Sequence, residues 1–339
     1  MAAKKKKEEL ANISEMYDLI GENDSNQGVS EYLSSGIMTF NKMLSGKYHD
    51  GGFGVKRIHE VFGPESSGKT LIATRALIEA QKKDGFALFL DHEHSFDSSF
   101  AIRQGLKTDK GSGWFYKQPI TAEDSFTYIE EVANKMVQSY PNTHICVVLD
   151  SIASMKTKYQ METGFDSNMK ANMDLASTMS RALGFIVPIV SSCKMTLIFL
   201  NQTRVNPKIT FGDSKITAGG EAMKFYASTR SKISKTGKVK NGDEIIGENV
   251  KVMSIKNKIY RPFQTCEYVT DTSEKAMGVD LIATHMPDFL NKGIVAKAGS
   301  WYSMNGERIG QGMDKVKQMF EEHPHLYDEA MKLTYVDET

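Results

Sequence analysis

The residues with the clearest chemistry lie in GPESSGKT, 63–70, between the apolar run RIHEVF and a segment of helical pattern. Gly63, Gly68, Lys69 and Thr70 fit G-x-x-x-x-G-K-[ST], the spacing of a phosphate-cradling loop. Glycines let backbone N–H groups turn inward round an anion, a lysine reaches the β and γ oxygens, and a threonine hydroxyl ligates Mg²⁺. The helix that opens here aims its positive end at the same anion. Pro64, Glu65, Ser66 and Ser67 complete the loop that would wrap ATP. Further along, ICVVLD ends in Asp150, placed to hold Mg²⁺ through water. FALFLDHEH supplies Asp91 and Glu93, and Glu93 is the candidate base for an attacking water. TLIFLNQ ends in the Asn201–Gln202 pair, whose amides can sense a γ-phosphate without competing for the metal. Taken alone, an acid after a strand is more often a helix cap or a solvated turn, so these roles need a shared crevice.

The elements that must build that crevice are legible as short apolar runs. RIHEVF, FALFLD, ICVVLD and TLIFLN each end in a polar turn, with helical patterns between them. Runs of this kind indicate an α/β fold, a mostly parallel twisted sheet covered on both faces. The carboxyl ends of its strands then converge. Residues 8–20 have an amphipathic helical pattern, and GENDSNQG reads as a linker. From about 245 the pattern turns strand-like, and 313–332 reads as one or two short helices. The expected organisation is an N-terminal helical segment and linker (1–30), a phosphate-loop core (31–270) and a small C-terminal α/β region (271–339).

Composition narrows the partners. With 42 Lys and Arg against 42 Asp and Glu, no global field draws the 339-residue chain to polyanions, so a nucleic acid needs a local patch. Residues 229–261 hold nine Lys/Arg against three Asp/Glu, which suits either a second DNA strand or a solvated face. Cys146, Cys193 and Cys266 lack C-x-x-C spacing, which points to buried thiols in a reducing compartment. The charged start runs on into Glu and Asn instead of an apolar stretch, so no secretory signal is expected. No later run reads as long enough to span a bilayer, and a cytoplasmic protein without membrane contact is expected.

These motifs, in their order, resemble the RecA-type recombinases of bacteria and phages. LSSGIMTFNKMLSG precedes the phosphate loop, DHEHSFD and VVLDS follow, and then come NQTRVNPKITFG, TAGGEAMKFYASTR, KNKIYRPF and GSWYSMNGERIGQG. The likeness spans roughly residues 30–312. It implies a helical filament on single-stranded DNA that pairs with homologous duplex and exchanges strands, with DNA-stimulated ATP hydrolysis between protomers. Single-strand-binding and loading proteins are implied partners. By the same resemblance Asp97 and Phe100 meet adenine, and Gln202 reports the γ-phosphate. Lys256 and Lys258 reach a neighbour's γ-phosphate in trans, and Phe225 relays nucleotide state between protomers. Two mobile loops, about 161–170 and 203–218, would hold DNA, with Met169, Arg204, Lys208, Phe211 and Lys215 within them and Gly219 and Gly220 just beyond the second as the DNA-binding residues.

The match has departures. His92 stands where a small residue is usual, which is expected to reshape the crevice near Glu93. Pro207 is expected to stiffen the second loop. Two other classes remain open at this level. A ring-forming helicase motor shares the core and the trans cations, although KNKIYRPF with NQTR and TAGG favours the recombinase. A nucleotide-gated DNA-binding regulator would keep Lys69 but turn over little.

Overall fold

The computed structural model describes residues 28–164, 168–205, 215–273 and 278–337. The chain divides into two compact units, residues 1–30 and 31–339. Residues 1–27 lie outside the described part, and with them the expected helix at 8–20. Every helix and strand among the described residues belongs to the second unit.

The first of these elements are β1 (Tyr32–Leu33), α1 (Met38–Ser45), β2 (Phe53–Gly54), β3 (Arg57–Gly63) and α2 (Lys69–Lys82). Next come β4 (Phe86–Asp91), α3 (Ser98–Arg103), β5 (Trp114–Lys117), α4 (Ala122–Ser139) and β6 (Ile145–Asp150). After α5 (Lys158–Thr163) and the long α6 (Asn168–Ser192) run β7 (Met195–Val205), β8 (Lys215–Thr217) and α7 (Ala222–Tyr226). Then β9 (Thr229–Asn241), β10 (Glu244–Asn257), β11 (Thr265–Asp271) and β12 (Gly278–Asp280) complete the main sheet. The order is β12-β11-β10-β9-β3-β7-β6-β4-β5, with β8 paired to β7. The ladders from β9 to β5 are parallel, and those from β9 out to β12 are antiparallel.

Packing explains why the central strands read as unbroken apolar runs. All six residues of β6 are buried, because helices cover both faces. Alternate residues serve opposite cores. Ala87 and Phe89, Cys146 and Val148, and Ile198 and Leu200 pack with Ile72, Ala76 and Leu77 of α2. Leu88 and Leu90, Val147 and Leu149, and Leu197 and Phe199 pack with α4 and α6. Helix α4 starts on a reciprocal cap in which Thr121 and Asp124 satisfy each other's backbone N–H groups.

One expectation needs correction. The stretch Met173–Ser192 is long and apolar enough, by length and composition, to cross a membrane. Its Leu175, Met179, Leu183, Ile186 and Val190 lie at three- and four-residue steps and are buried against the sheet, so it is a layer helix of the α/β core. Beyond β12, α8 (Leu281–Asn291) leads to an antiparallel sheet of β13 (Val295–Ala298), β14 (Trp301–Met304) and β15 (Glu307–Gln311). Helices α9 (Met313–Glu322) and α10 (Pro324–Thr334) follow. Phe289, Tyr302, Val316, Phe320 and Tyr335 form a third core here.

Candidate nucleotide site and DNA interface

Strand β3 delivers the chain into the phosphate loop at Gly63, where a Cβ would stand 2.6 Å from the Ile233 carbonyl oxygen. Gly68 adopts φ +91 at the N-cap of α2 and no side chain caps that helix, so its first N–H groups stay available to an anion. Lys69 Nζ donates to the Pro64 carbonyl, 2.7 Å away, within the loop itself. Burial pulls the Lys69 pKa down, while Asp150, Glu93 and Glu65 pull it up. Ser67 Oγ is buried without a hydrogen-bond partner. Thr70 Oγ1 donates to Asp150 Oδ2 at 2.8 Å. Burial, then the charge of Glu93, pushes Asp150 up to about 7. A buried carboxylate beside a hydroxyl is a hard-oxygen pair that suits Mg²⁺. Among the described residues no group of three or more His, Cys, Asp or Glu side chains could hold a metal. Phosphate oxygens and water would therefore complete the shell, as Mg²⁺ prefers.

Three parallel strands bring the remaining groups together. Asp91 and Asp150 are register partners on β4 and β6. Glu93 Oε1 accepts from Ser151 Oγ at 2.5 Å and from Gln202 Nε2 at 2.9 Å. The expected base and the expected sensor thus touch directly. Asp91 shapes the turn, accepting the backbone N–H groups of Glu93, His94 and Phe96 and the Tyr116 hydroxyl. His92 corrects an expectation. Its Nε2 pairs with Ser125 Oγ of α4 at 2.6 Å, so it anchors the turn from behind and leaves the crevice beside Glu93 clear. Burial holds its pKa down to about 4, so it is neutral at pH 7.

A cleft of about 470 Å³ opens over these groups, with Phe100 along its wall and Asp271 on the β11 side. Asp97 caps α3 by accepting from Phe100 N at 3.0 Å. Lys256, Lys258 and Phe225 are absent from the cleft lining and meet elsewhere. Lys256 Nζ donates to Phe225 O at 3.0 Å and Lys258 Nζ to the same oxygen at 3.3 Å, at the carbonyl end of α7. Phe225 is 70% exposed. Both lysines therefore gather at the end of α7, outside the lining of the cleft.

The expected DNA loops are only partly described. The first is shorter than expected: α5 runs to Thr163 and α6 starts at Asn168, so Met169 falls in a helical first turn. Arg204 and Lys215 sit in the β7–β8 ladder. Lys208, Phe211 and Pro207 lie outside the described residues. Gly219 and Gly220, at φ +80 and +72, approach Ile152 and Ala176 so closely that a Cβ would stand 2.8 Å from either side chain. Sequence reasoning missed Ser151, although it stands in VVLDS, and missed Asn201 as a partner of Glu60. No spacing rule marks either contact.

Fold and site define an α/β protein with a phosphate-loop nucleotide cleft. The family model of the RecA N-terminal domain matches residues 8–273, and that of the RecA C-terminal domain residues 290–333. Protein RecA of Syntrophus aciditrophicus is 39% identical over 277 residues, 81% of this chain and 76% of that protein. Protein RecA 2 of Myxococcus xanthus is 37% identical over 281 residues, covering 81% and 73%. Protein RecA of Bacteroides thetaiotaomicron is 36% identical over 285 residues, covering 84% and 82%. The chain belongs to the RecA family. It is a recombinase of homologous pairing and strand exchange and a DNA-dependent ATPase.

Proposed function

We propose that each ATP is shared by two copies of this chain and that the sharing controls the grip on DNA. The backbone of residues 63–68 and Lys69 would cradle the phosphates, and Thr70 and Asp150 would hold Mg²⁺. That ion would neutralise charge developing on the phosphates. Glu93 orients a water for attack on the γ-phosphorus and takes its proton. The bond from that phosphorus to the β–γ bridging oxygen breaks, and inorganic phosphate leaves. Phe100 stacks on the adenine, with Asp97 beside it.

Lys256 and Lys258 reach the γ-phosphate of the neighbouring protomer, acting as cations supplied in trans, and Phe225 sits across the same boundary. Gln202 reports the γ-phosphate to the segment 203–218, which with 161–170 holds single-stranded DNA along the filament axis. Arg204, Lys208 and Lys215 meet phosphates, Phe211 stacks or wedges, and Met169, Gly219 and Gly220 shape the loop bases. Homologous duplex is the second substrate, read by base pairing. Single-strand-binding and loading proteins are the further partners, in the cytoplasm. Residues 1–30 would join protomers as a polymerisation segment.

The observation that carries this reading is the split of the charged groups. Glu93 and Gln202 are bonded at 2.9 Å inside the cleft, whereas Lys256 and Lys258 gather outside it at Phe225. ATP hydrolysis measured with and without single-stranded DNA tests it. Lys69→Ala is expected to lose nucleotide affinity and turnover together. Lys256→Ala/Lys258→Ala is expected to bind nucleotide normally and lose its DNA stimulation, by roughly a hundredfold or more on the scale of trans cations. Full stimulation in that double variant would sink the proposal.

A further inference from the structure

A buried ion pair stands between the nucleotide cleft and the surface that carries Lys256. Glu60 of β3 and Arg230 of β9 are joined through Glu60 Oε2 and Arg230 Nε, with side-chain exposures of 0% and 7%. The other carboxylate oxygen, Oε1, accepts from Asn201 Nδ2 at 2.9 Å. Asn201 immediately precedes Gln202, and its amide also donates to Ala218 O at 3.0 Å. Arg230 Nη2 reaches Thr217 Oγ1 at 3.4 Å, so the network holds the root of the segment that follows β8. On the β9–β10 ladder Arg230 is the register partner of Lys256. The guanidinium also lies 4.9 Å from the centroid of Phe62, the residue before Gly63.

Neither charge lines the cleft. A buried pair of this kind contributes little stability over an apolar pair of the same volume, because desolvation offsets the attraction. What it contributes is an arrangement: one carboxylate fixes β3, β7 and β9 at once. We propose that Glu60 is a positioning residue that couples a protomer's own γ-phosphate sensor to the lysine it lends its neighbour. The inference rests on the roles proposed above for Gln202 and Lys256. A shift of the β7 end at Gln202 moves Asn201. Asn201 and Arg230 hold the two oxygens of one carboxylate, so a pull on one oxygen displaces the other, and Arg230 stands beside Lys256. Hydrogen-bond networks with two discrete arrangements are the physical carriers of such coupling. Occupancy of one cleft then sets how the cation is offered to the next.

The electrostatics run the same way. Lys256 is lowered to about 8 by burial, then by Lys258 and Arg230, while Glu60 pulls it up. The other charged groups on the element packed against it are Lys224 of α7 and the N-cap residue Glu221, paired at 2.7 Å. Removing the Glu60 charge would lower Lys256 further and deplete its ammonium form in mildly alkaline solution.

Three variants test the coupling: Glu60→Gln, Glu60→Gln/Arg230→Met and, as control, Lys256→Ala. DNA-stimulated ATP hydrolysis is followed from about pH 6 to about pH 9, beside binding of a fluorescent ADP analogue. Glu60→Gln is expected to bind nucleotide within about threefold of wild type and to lose roughly tenfold of its DNA stimulation, an ordinary coupling magnitude. The alkaline limb of its pH profile is expected to move to lower pH. The double variant covers the case in which a lone buried Arg230 prevents folding. It should bind nucleotide and lose stimulation without a downward move of that limb. Wild-type stimulation in either folded Glu60 variant, an unmoved alkaline limb in Glu60→Gln, or nucleotide binding lost in step with stimulation overturns the coupling. Full stimulation in Lys256→Ala overturns the trans reading and this inference with it, whereas full stimulation confined to the Glu60 variants overturns the coupling alone.

Discussion

Asp150 carries an unusual burden in the nucleotide-free protein. Its folded pKa of about 7 lies above the ordinary value of 3.8, so the native state binds the extra proton. The group therefore costs stability progressively as pH rises from about 4 to about 7. Asp150→Asn removes that penalty and keeps an oxygen for Thr70. It is expected to raise the nucleotide-free melting temperature at about pH 8 by the equivalent of about 1–3 kcal/mol, with little gain at about pH 4. It is also expected to abolish the extra stabilisation that Mg²⁺ adds with nucleotide, and thermal scans at both pH values check both effects. Ser151 holds Glu93 at 2.5 Å. Ser151→Ala is expected to lower kcat by roughly three- to tenfold and leave the KM for ATP near wild type, since on the proposed mechanism the serine orients Glu93 as base. At this scale the sequence was legible where a motif names the atom, as with Lys69 and Thr70. It was silent where a contact depends on two strands lying side by side, as between Ser151 and Glu93 or Asn201 and Glu60.

Elements decide how these residues meet. The parallel register that sets Asp91 beside Asp150 also carries Glu93 towards Gln202, one strand further across. Runs such as ICVVLD announced that sheet because strands covered on both faces have no polar face to display. The limits of the DNA segments were less legible. METGFDSNMK lacks periodicity in a short window, yet α5 and α6 enter it from both sides, and the packing that holds α6 to the sheet lies beyond the window. Gly219 marks where the second segment rejoins the core. With φ +80 and Ile152 at 2.8 Å from a built Cβ, Gly219→Ala combines backbone strain with overlap. It is expected to cost about 1–3 kcal/mol and to weaken nucleotide-dependent DNA binding, as equilibrium unfolding beside fluorescence anisotropy would register. Unchanged stability in that variant would mean the loop root can relax away from Ile152.

At the scale of the whole molecule, function depends on copies. A net charge of zero leaves DNA affinity to local basic groups multiplied along a polymer. Binding to single-stranded DNA is expected to weaken steeply with salt, with log K falling linearly in log salt at a slope of about −0.7 per phosphate neutralised. Hydrolysis per protomer is expected to rise with protein concentration until filaments form. Titrations at several salt and protein concentrations check both, and a rate independent of protein concentration would contradict sharing of the site.

The sequence alone determined the chemistry of the phosphate loop and the parallel sheet, because local spacing and apolar runs encode them directly, and its ordered motifs carried the resemblance to the family. Tertiary structure decided the rest. It turned His92 onto α4 and out of the crevice, joined Gln202 to Glu93, and buried Glu60 against Arg230, 170 residues apart in the chain. Such contacts depend on which strands become neighbours, and strand order arises from long-range packing that no short window of residues contains.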